Sequence, residues 1–245
     1  MADSVIHTRT VSVQSTGVTL DAYLAEPDGN GPFPGVVVLQ EIFGVNAHIR
    51  DVTERLARLG YAAIAPALYQ RTAPGFEVGY SEAGTAVGRQ YKTMTQASEL
   101  LRDIQASIDY LKEESKVKAT GLGCIGFCFG GHVAYLAATL PDIQATASFY
   151  GAGVATTTPG GGPPTMTLTP RIQGTIYLFF GSQDPLIPKE ETAEIAAALR
   201  KHQIRHQIYH YPAGHGFFCD QRGDYRPEAA ADAWIRVQAM FSSIL

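Results

Sequence analysis

Short apolar runs and amphipathic stretches take turns along this chain, and their spacing predicts its elements. Residues 5–13 and 18–25 are rich in β-forming side chains on either side of Gly17, as expected of a hairpin. Residues 27–34 are dense in Pro and Gly and read as a loop. Residues 36–39, Val-Val-Val-Leu, are apolar at every position, the pattern of a strand covered on both faces. Asn46 is placed to cap a helix that passes through Leu56 and Leu59 and stops at Gly60, and a strand follows at 61–65. Residues 70–88 are polar and contain glycine, so they read as a loop or an irregular cap. Leu100, Leu101, Ile104, Ile108 and Leu111 then recur at helical spacing. Beyond them the pattern predicts a strand at 122–127 and a helix at about 130–140. Strands at 145–150 and 175–180, a helix at 189–200, a strand at 207–211 and a last helix at 227–244 complete the series.

Strand followed by helix, repeated, predicts an α/β fold. Its sheet is mainly parallel, with helices on both faces and an antiparallel hairpin at the N-terminus. Neither a repeat nor a composition break divides the 245 residues, so 1–245 are expected to form a single domain. In such sheets functional side chains gather on loops at the carboxyl ends of the strands. Residues 154–170, rich in Thr, Gly and Pro, read as a flexible surface loop, with a lid over the site as the functional alternative.

Composition narrows the partners. A formal charge of −4 leaves no basic stripe for nucleic acid and no attraction to an anionic membrane. The N-terminal stretch lacks the apolar segment of a secretion signal, and no apolar run is long enough to cross a bilayer. Three cysteines, an odd number, argue against a disulfide framework. Reduced thiols in a cytoplasmic protein are the expectation, which matters if one thiol is a nucleophile.

One of them is framed for that role. Gly126-Phe-Cys128-Phe-Gly130 stands between a predicted strand and a predicted helix, the arrangement of a nucleophile elbow with Cys in place of Ser. The turn is too tight for side chains at the flanking positions, hence the glycines. The helix that follows directs its first N–H groups at the elbow. They favour negative charge on the sulfur and on a substrate oxygen, with Phe129 as the first oxyanion donor. Cys124, inside the strand, has the pattern of a buried packing residue. The overlapping Gly121-Leu-Gly123-Cys-Ile-Gly126 matches a dinucleotide-binding fingerprint. That motif needs a strand before its first glycine, whereas here the strand lies among the glycines.

An acid and a base follow in the order this fold uses. Asp184 sits just past the strand at 175–180, in Gly181-Ser-Gln-Asp184-Pro, and His215 sits between glycines just past the strand at 207–211. His215 would take the thiol proton and return it to the leaving alcohol, with Asp184 holding the ring. Glu41, after the strand at 36–39, would face the same pocket mouth, and the Ile42 N–H would supply the second oxyanion donor. His132, His202 and His206 have structural readings. His210, His215 and Cys219 could be taken for a zinc set, but they lack a paired ligand spacing, so neither metal nor cofactor is expected.

These residues together resemble the dienelactone hydrolase (carboxymethylenebutenolidase) family over nearly the whole chain. The most specific pieces are Gln40-Glu41-Ile42-Phe43-Gly44-Val45-Asn46, the Gly126–Gly131 elbow, Gly181-Ser-Gln-Asp184 and Ala213-Gly214-His215-Gly216. The resemblance implies an α/β-hydrolase fold without cofactor and a Cys128–His215–Asp184 triad cleaving a small ester or lactone. It also implies that Glu41 contacts the resting thiol, and that Ile42 and Phe129 form the oxyanion hole. The family binds its substrate's carboxylate with two arginines. This chain has Cys219 four residues after His215, where one of them is expected, and Arg89 near the other. Arg89, Tyr91, Tyr150 and Phe217 are therefore candidate substrate contacts. Thioesters or phosphotriesters are the alternative substrates, and a non-catalytic ligand-binding role is the remote one.

Overall fold

The computed structural model describes residues 5–114, 116–118 and 120–245; the first four residues of the N-terminal stretch read above lie outside that set. Eight strands form one sheet in the order β1-β2-β4-β3-β5-β6-β7-β8. β1 (Ile6–Ser15) and β2 (Val18–Pro27) make the antiparallel hairpin, and β2 also pairs antiparallel with β4 (Ala62–Pro66). From β4 through β3 (Gly35–Leu39), β5 (Leu122–Phe127), β6 (Ile143–Phe149) and β7 (Thr175–Gly181) to β8 (His206–Tyr211), every pairing is parallel. Parallel pairing puts the carboxyl ends of β3, β5, β6, β7 and β8 on one edge.

Side-chain alternation explains why both faces need cover. Val36 and Val38 of β3 fall in one core cluster, with residues of α1 (Ala47–Arg58) and α6 (Pro227–Ile244). Val37 and Leu39 fall in the other, with Leu100, Ile104, Ile108 and Leu111 of α3 (Ala97–Glu113). A strand buried on both faces cannot carry polar residues, and all five positions of β3 are buried. No helix among the described residues is long and apolar enough to cross a membrane.

Two expectations are corrected. The polar stretch 70–88 runs into a helix, α2 (Glu82–Thr93), capped by the Ser81 side chain. Gly84 and Gly88 weaken its helical signal, yet close packing requires them: a Cβ on Gly88 would lie 2.3 Å from the Ile42 carbonyl oxygen. The second correction concerns residues 154–170, which are neither a loose loop nor a lid. Thr165 and Thr169, in a 3-10 turn at Thr165–Arg171, are fully buried. Their hydroxyls pair with His132 Nε2 at 2.7 Å and the Tyr135 hydroxyl at 2.6 Å, both on α4 (Phe129–Ala137). This segment is pinned behind the nucleophile's helix.

The dinucleotide reading also falls. Gly123 and Gly126 lie inside β5, in register with β3 and β6, so no glycine loop is free to cradle a phosphate. Their neighbours instead demand small residues. A Cβ on Gly126 would sit 2.0 Å from the Gly130 carbonyl oxygen, and one on Gly130 would sit 2.3 Å from that of Leu39. Both obstacles are backbone, so Gly130→Ala is expected to destabilise the protein by about 1–3 kcal/mol, read from chemical denaturation. An unchanged midpoint would show that this turn yields more easily than its packing implies.

Candidate active site

The elbow is built as a strained turn between β5 and α4. Cys128 has φ 55° and ψ −115°, a conformation that side chains other than glycine rarely adopt. Its N–H donates to the Phe149 carbonyl at 3.0 Å, and its own carbonyl accepts from the His132 N–H at 3.1 Å. The strain therefore persists because the chain is held on both sides. Cys128 is the N-cap of α4 and is partly exposed, whereas Cys124 is fully buried in β5. The first N–H groups of a helix lack intrahelical partners, and they favour negative charge beside them.

Asp184 and His215 are held by loops that lock into each other. The Ser182 N–H donates to the Tyr211 carbonyl at 2.7 Å and that of Gln183 to the Ala213 carbonyl at 3.0 Å. Asp184 Oδ1 accepts the Leu186 N–H at 2.8 Å, leaving Oδ2 for the Nδ1–H of His215 at 2.7 Å. This fixes the tautomer, with Nε2 free to act on another group. Nε2 is buried, has no hydrogen-bond partner among the described residues, and lines the same pocket as Cys128. Burial would by itself lower the imidazole pKa. The neighbouring Cys128, as thiolate, and the Asp184 carboxylate outweigh it and raise it to about 10. A thiolate–imidazolium pair is thus favoured once it forms.

That pocket has a volume of about 110 Å³. Ile42, Phe43 and Phe129 give it apolar walls, and Cys128 and His215 face into it. A larger cleft of about 590 Å³ lies between β1 and α3, but it contains no nucleophile and base together. Of the four candidate substrate contacts, only Arg89 lines the smaller pocket, from α2. Tyr91 instead packs on Phe76, ring centroids 4.8 Å apart. Tyr150 and Phe217 are fully buried and pack on each other at 5.3 Å, Tyr150 also lying edge-on to His215 at 5.2 Å. Their apolar character serves the core and the positioning of the imidazole. The supposed zinc set is not assembled either: His210 is exposed, and the metal-ligating neighbours of Cys219 are Glu41 and His48.

The residue that sequence reasoning missed is Arg222. It lies seven positions after His215, beyond the place where an arginine was sought, and no motif marks it. The loop folds back so that its guanidinium lies where a side chain on Gly216 would be, a Cβ there falling 2.5 Å from Nε. Arg222 thereby lines the pocket beside Cys128 and His215, and Nη1 donates to Glu41 Oε1 at 2.9 Å. Glu41, fully buried, accepts the Tyr80 hydroxyl on Oε2 at 2.8 Å. Asn46 Nδ2 donates to that hydroxyl at 3.2 Å while its Oδ1 caps α1. Both carboxylate oxygens are thus engaged by Arg222 and Tyr80, and the Cys128 thiol is not among their partners, contrary to the expectation for Glu41. Although burial lowers the Arg222 pKa, Glu41 and then Cys128 more than compensate, so the guanidinium stays charged. Arg89 and Lys92 of α2 add two more cations at the pocket rim.

Residues 20–245 match the Dienelactone hydrolase family. The chain belongs to this family. Among its relatives, a Synechocystis protein with a provisional carboxymethylenebutenolidase name is 52% identical over 98% of both chains. A crystal structure provisionally titled as a dienelactone hydrolase, from Klebsiella pneumoniae, superposes with a TM-score of 0.87 at 31% identity, covering 97% of this chain and 99% of that one. A dienelactone hydrolase-like promiscuous phosphotriesterase from metagenomic libraries gives 0.81 at 25% identity over 98% of each chain. Like the dienelactone hydrolase family as a whole, this chain is a hydrolase with an α/β-hydrolase fold, and the family implies a small ester or lactone as substrate.

Proposed function

We propose that this chain hydrolyses small esters or lactones that carry an anionic group, with Cys128 as nucleophile, His215 as acid–base and Asp184 as its orienting partner. The observation that supports this most directly is the shared pocket: sulfur, imidazole and three cations open into one small cavity, with Asp184 on the far nitrogen of the ring. His215 takes the thiol proton through Nε2, and the sulfur attacks the substrate carbonyl. The N–H groups of Ile42 and Phe129 stabilise the resulting oxyanion. As the intermediate collapses, the imidazolium protonates the departing alcohol oxygen, which leaves an acyl-thioester on Cys128. Water, deprotonated by His215, then attacks the thioester and releases the acid and the free thiol. The carboxylate of the substrate pairs with Arg222, which keeps donors beyond the one used by Glu41, and with Arg89.

The test is a substrate pair. Arg222→Met is expected to lower kcat/KM for an ester bearing a carboxylate by about 10- to 100-fold, as befits a lost charged hydrogen bond. The neutral methyl-ester analogue should change by less than about threefold. Arg222→Lys should recover part of the loss. An equal loss on both substrates would mean that Arg222 only holds Glu41, and that the anionic-substrate reading is wrong.

The resemblance to a promiscuous phosphotriesterase favours a second reading, in which the same thiolate attacks phosphorus. Phosphotriesters are neutral and make no use of the three cations. If a phosphotriester exceeds the anionic ester in kcat/KM, this second reading replaces the first.

A further inference from the structure

Beside the pocket lies a second group of reactive side chains that the proposed hydrolysis does not use together. A carboxylate oxygen of Glu41, a ring nitrogen of His48 and the sulfur of Cys219 lie within 4.8 Å of one another, and all three residues are buried. They converge from the loop after β3, the first turn of α1 and the loop after β8. Nε2 of His48 is buried and has no hydrogen-bond partner among the described residues, a costly condition for an imidazole nitrogen. The ring is wedged edge-on to Phe127 at 5.5 Å and Phe218 at 6.2 Å, so its position is set by packing.

One thiolate, one imidazole and one carboxylate are the donors a borderline-soft divalent ion prefers. Bond lengths of about 2.0–2.3 Å place ligand atoms around such an ion roughly 3.3–3.7 Å apart. The present spacing is within reach of small side-chain rotations. There is also a route in. His48 contributes to the wall of a cleft of about 320 Å³ that also presents the carboxylates of Asp51 and Asp220. Those two acids would draw a cation toward the imidazole, opposed by Arg55 in the same cleft.

We propose that Glu41, His48 and Cys219 form a binding site for a thiophilic divalent cation, with Zn²⁺ as the reference ion, and that occupancy slows hydrolysis. On binding, Cys219 gives its thiol proton to solvent while His48 and Glu41 donate lone pairs, so no electrons are transferred. Arg222 and Tyr80 now hold the two oxygens of Glu41. A cation that takes over one oxygen must loosen at least one of these contacts. The effect reaches the pocket through Arg222, whose guanidinium loses the anchor beside Cys128.

Metal binding can be read without relying on the hydrolase reading. Cys128 and His215 also offer a thiol and an imidazole, so binding is measured in Cys128→Ser protein freed of metal by a chelator. One equivalent of Co²⁺ should bind and give the intense absorption of a tetrahedral cobalt–thiolate, and Zn²⁺ should displace it. Adding Cys219→Ser should remove the thiolate band and weaken binding at least ~10-fold. Adding His48→Gln should weaken it similarly, with thermal unfolding as the check on folding. In otherwise wild-type protein, Cys219→Ser should hydrolyse esters at the usual rate and lose its sensitivity to Zn²⁺. The proposal is overturned if Cys128→Ser protein fails to take up the ion. It is equally overturned if the cobalt–thiolate band survives Cys219→Ser, which as the near-isosteric change decides the matter should His48→Gln fail to fold.

Discussion

Cys128→Ala is expected to lower kcat for p-nitrophenyl acetate by at least ~10⁴-fold, with circular dichroism and thermal midpoint close to wild type. Losing the nucleophile of a hydrolase triad removes the covalent route entirely and leaves only oxyanion stabilisation and binding, a loss of that order or larger. Folding should survive because Cys128 is only partly buried and its thiol joins no hydrogen-bonded network of the core. Alanine accepts the positive φ at this position no worse than cysteine does. The wild-type enzyme quenched in acid during turnover should carry one acyl group, and peptide mapping should place it on Cys128. An alanine variant that keeps more than a few per cent of wild-type turnover would end the nucleophile assignment. So would an acyl group mapped to Cys219.

What the sequence made legible was whatever depends on local pattern. The fully apolar run of β3, the glycines of the elbow and the order of Cys128, Asp184 and His215 are each visible within a few residues. They predicted the sheet, the turn and the way Asp184 meets His215. Less legible were features set by long-range closure. Arg222 reaches the pocket because a loop doubles back over Gly216, and no spacing rule from His215 announces that return. The aromatic candidates failed for a related reason: Tyr150 and Phe217 neighbour functional positions in the chain, but their side chains point into the core behind the imidazole. Helix α2 was hidden by the glycines that let it lie against the Ile42 backbone, and it is that close approach which delivers Arg89. For residues 154–170, small polar residues suggested mobility, whereas their threonine hydroxyls are the partners of buried His132 and Tyr135.

Asp184→Asn should produce the second large effect, a fall in kcat of about 10³- to 10⁴-fold, accompanied by a shift in pH dependence. The carboxylate does two things to His215. It accepts the Nδ1 proton at 2.7 Å, and it helps Cys128 raise the imidazole pKa to about 10 against the lowering effect of burial. An asparagine can present its amide N–H to Nδ1, which would move the ring proton to Nε2 and leave nothing to accept the thiol proton. Because the imidazolium must survive to protonate the leaving group, the alkaline limb of the kcat/KM profile should lie near pH 10 in the wild type. In the variant it should move to lower pH. Stability follows the same sign. A histidine whose folded pKa stands above its ordinary value near 6.5 contributes stability that is complete below pH 6.5 and fades as pH rises through about 10. The stability gap between wild type and Asp184→Asn should therefore be widest near pH 6 and narrow toward pH 10, as urea titrations at a series of pH values would record. A gap that widens with pH, or an alkaline limb that does not move, would mean that Asp184 does not govern the protonation of His215.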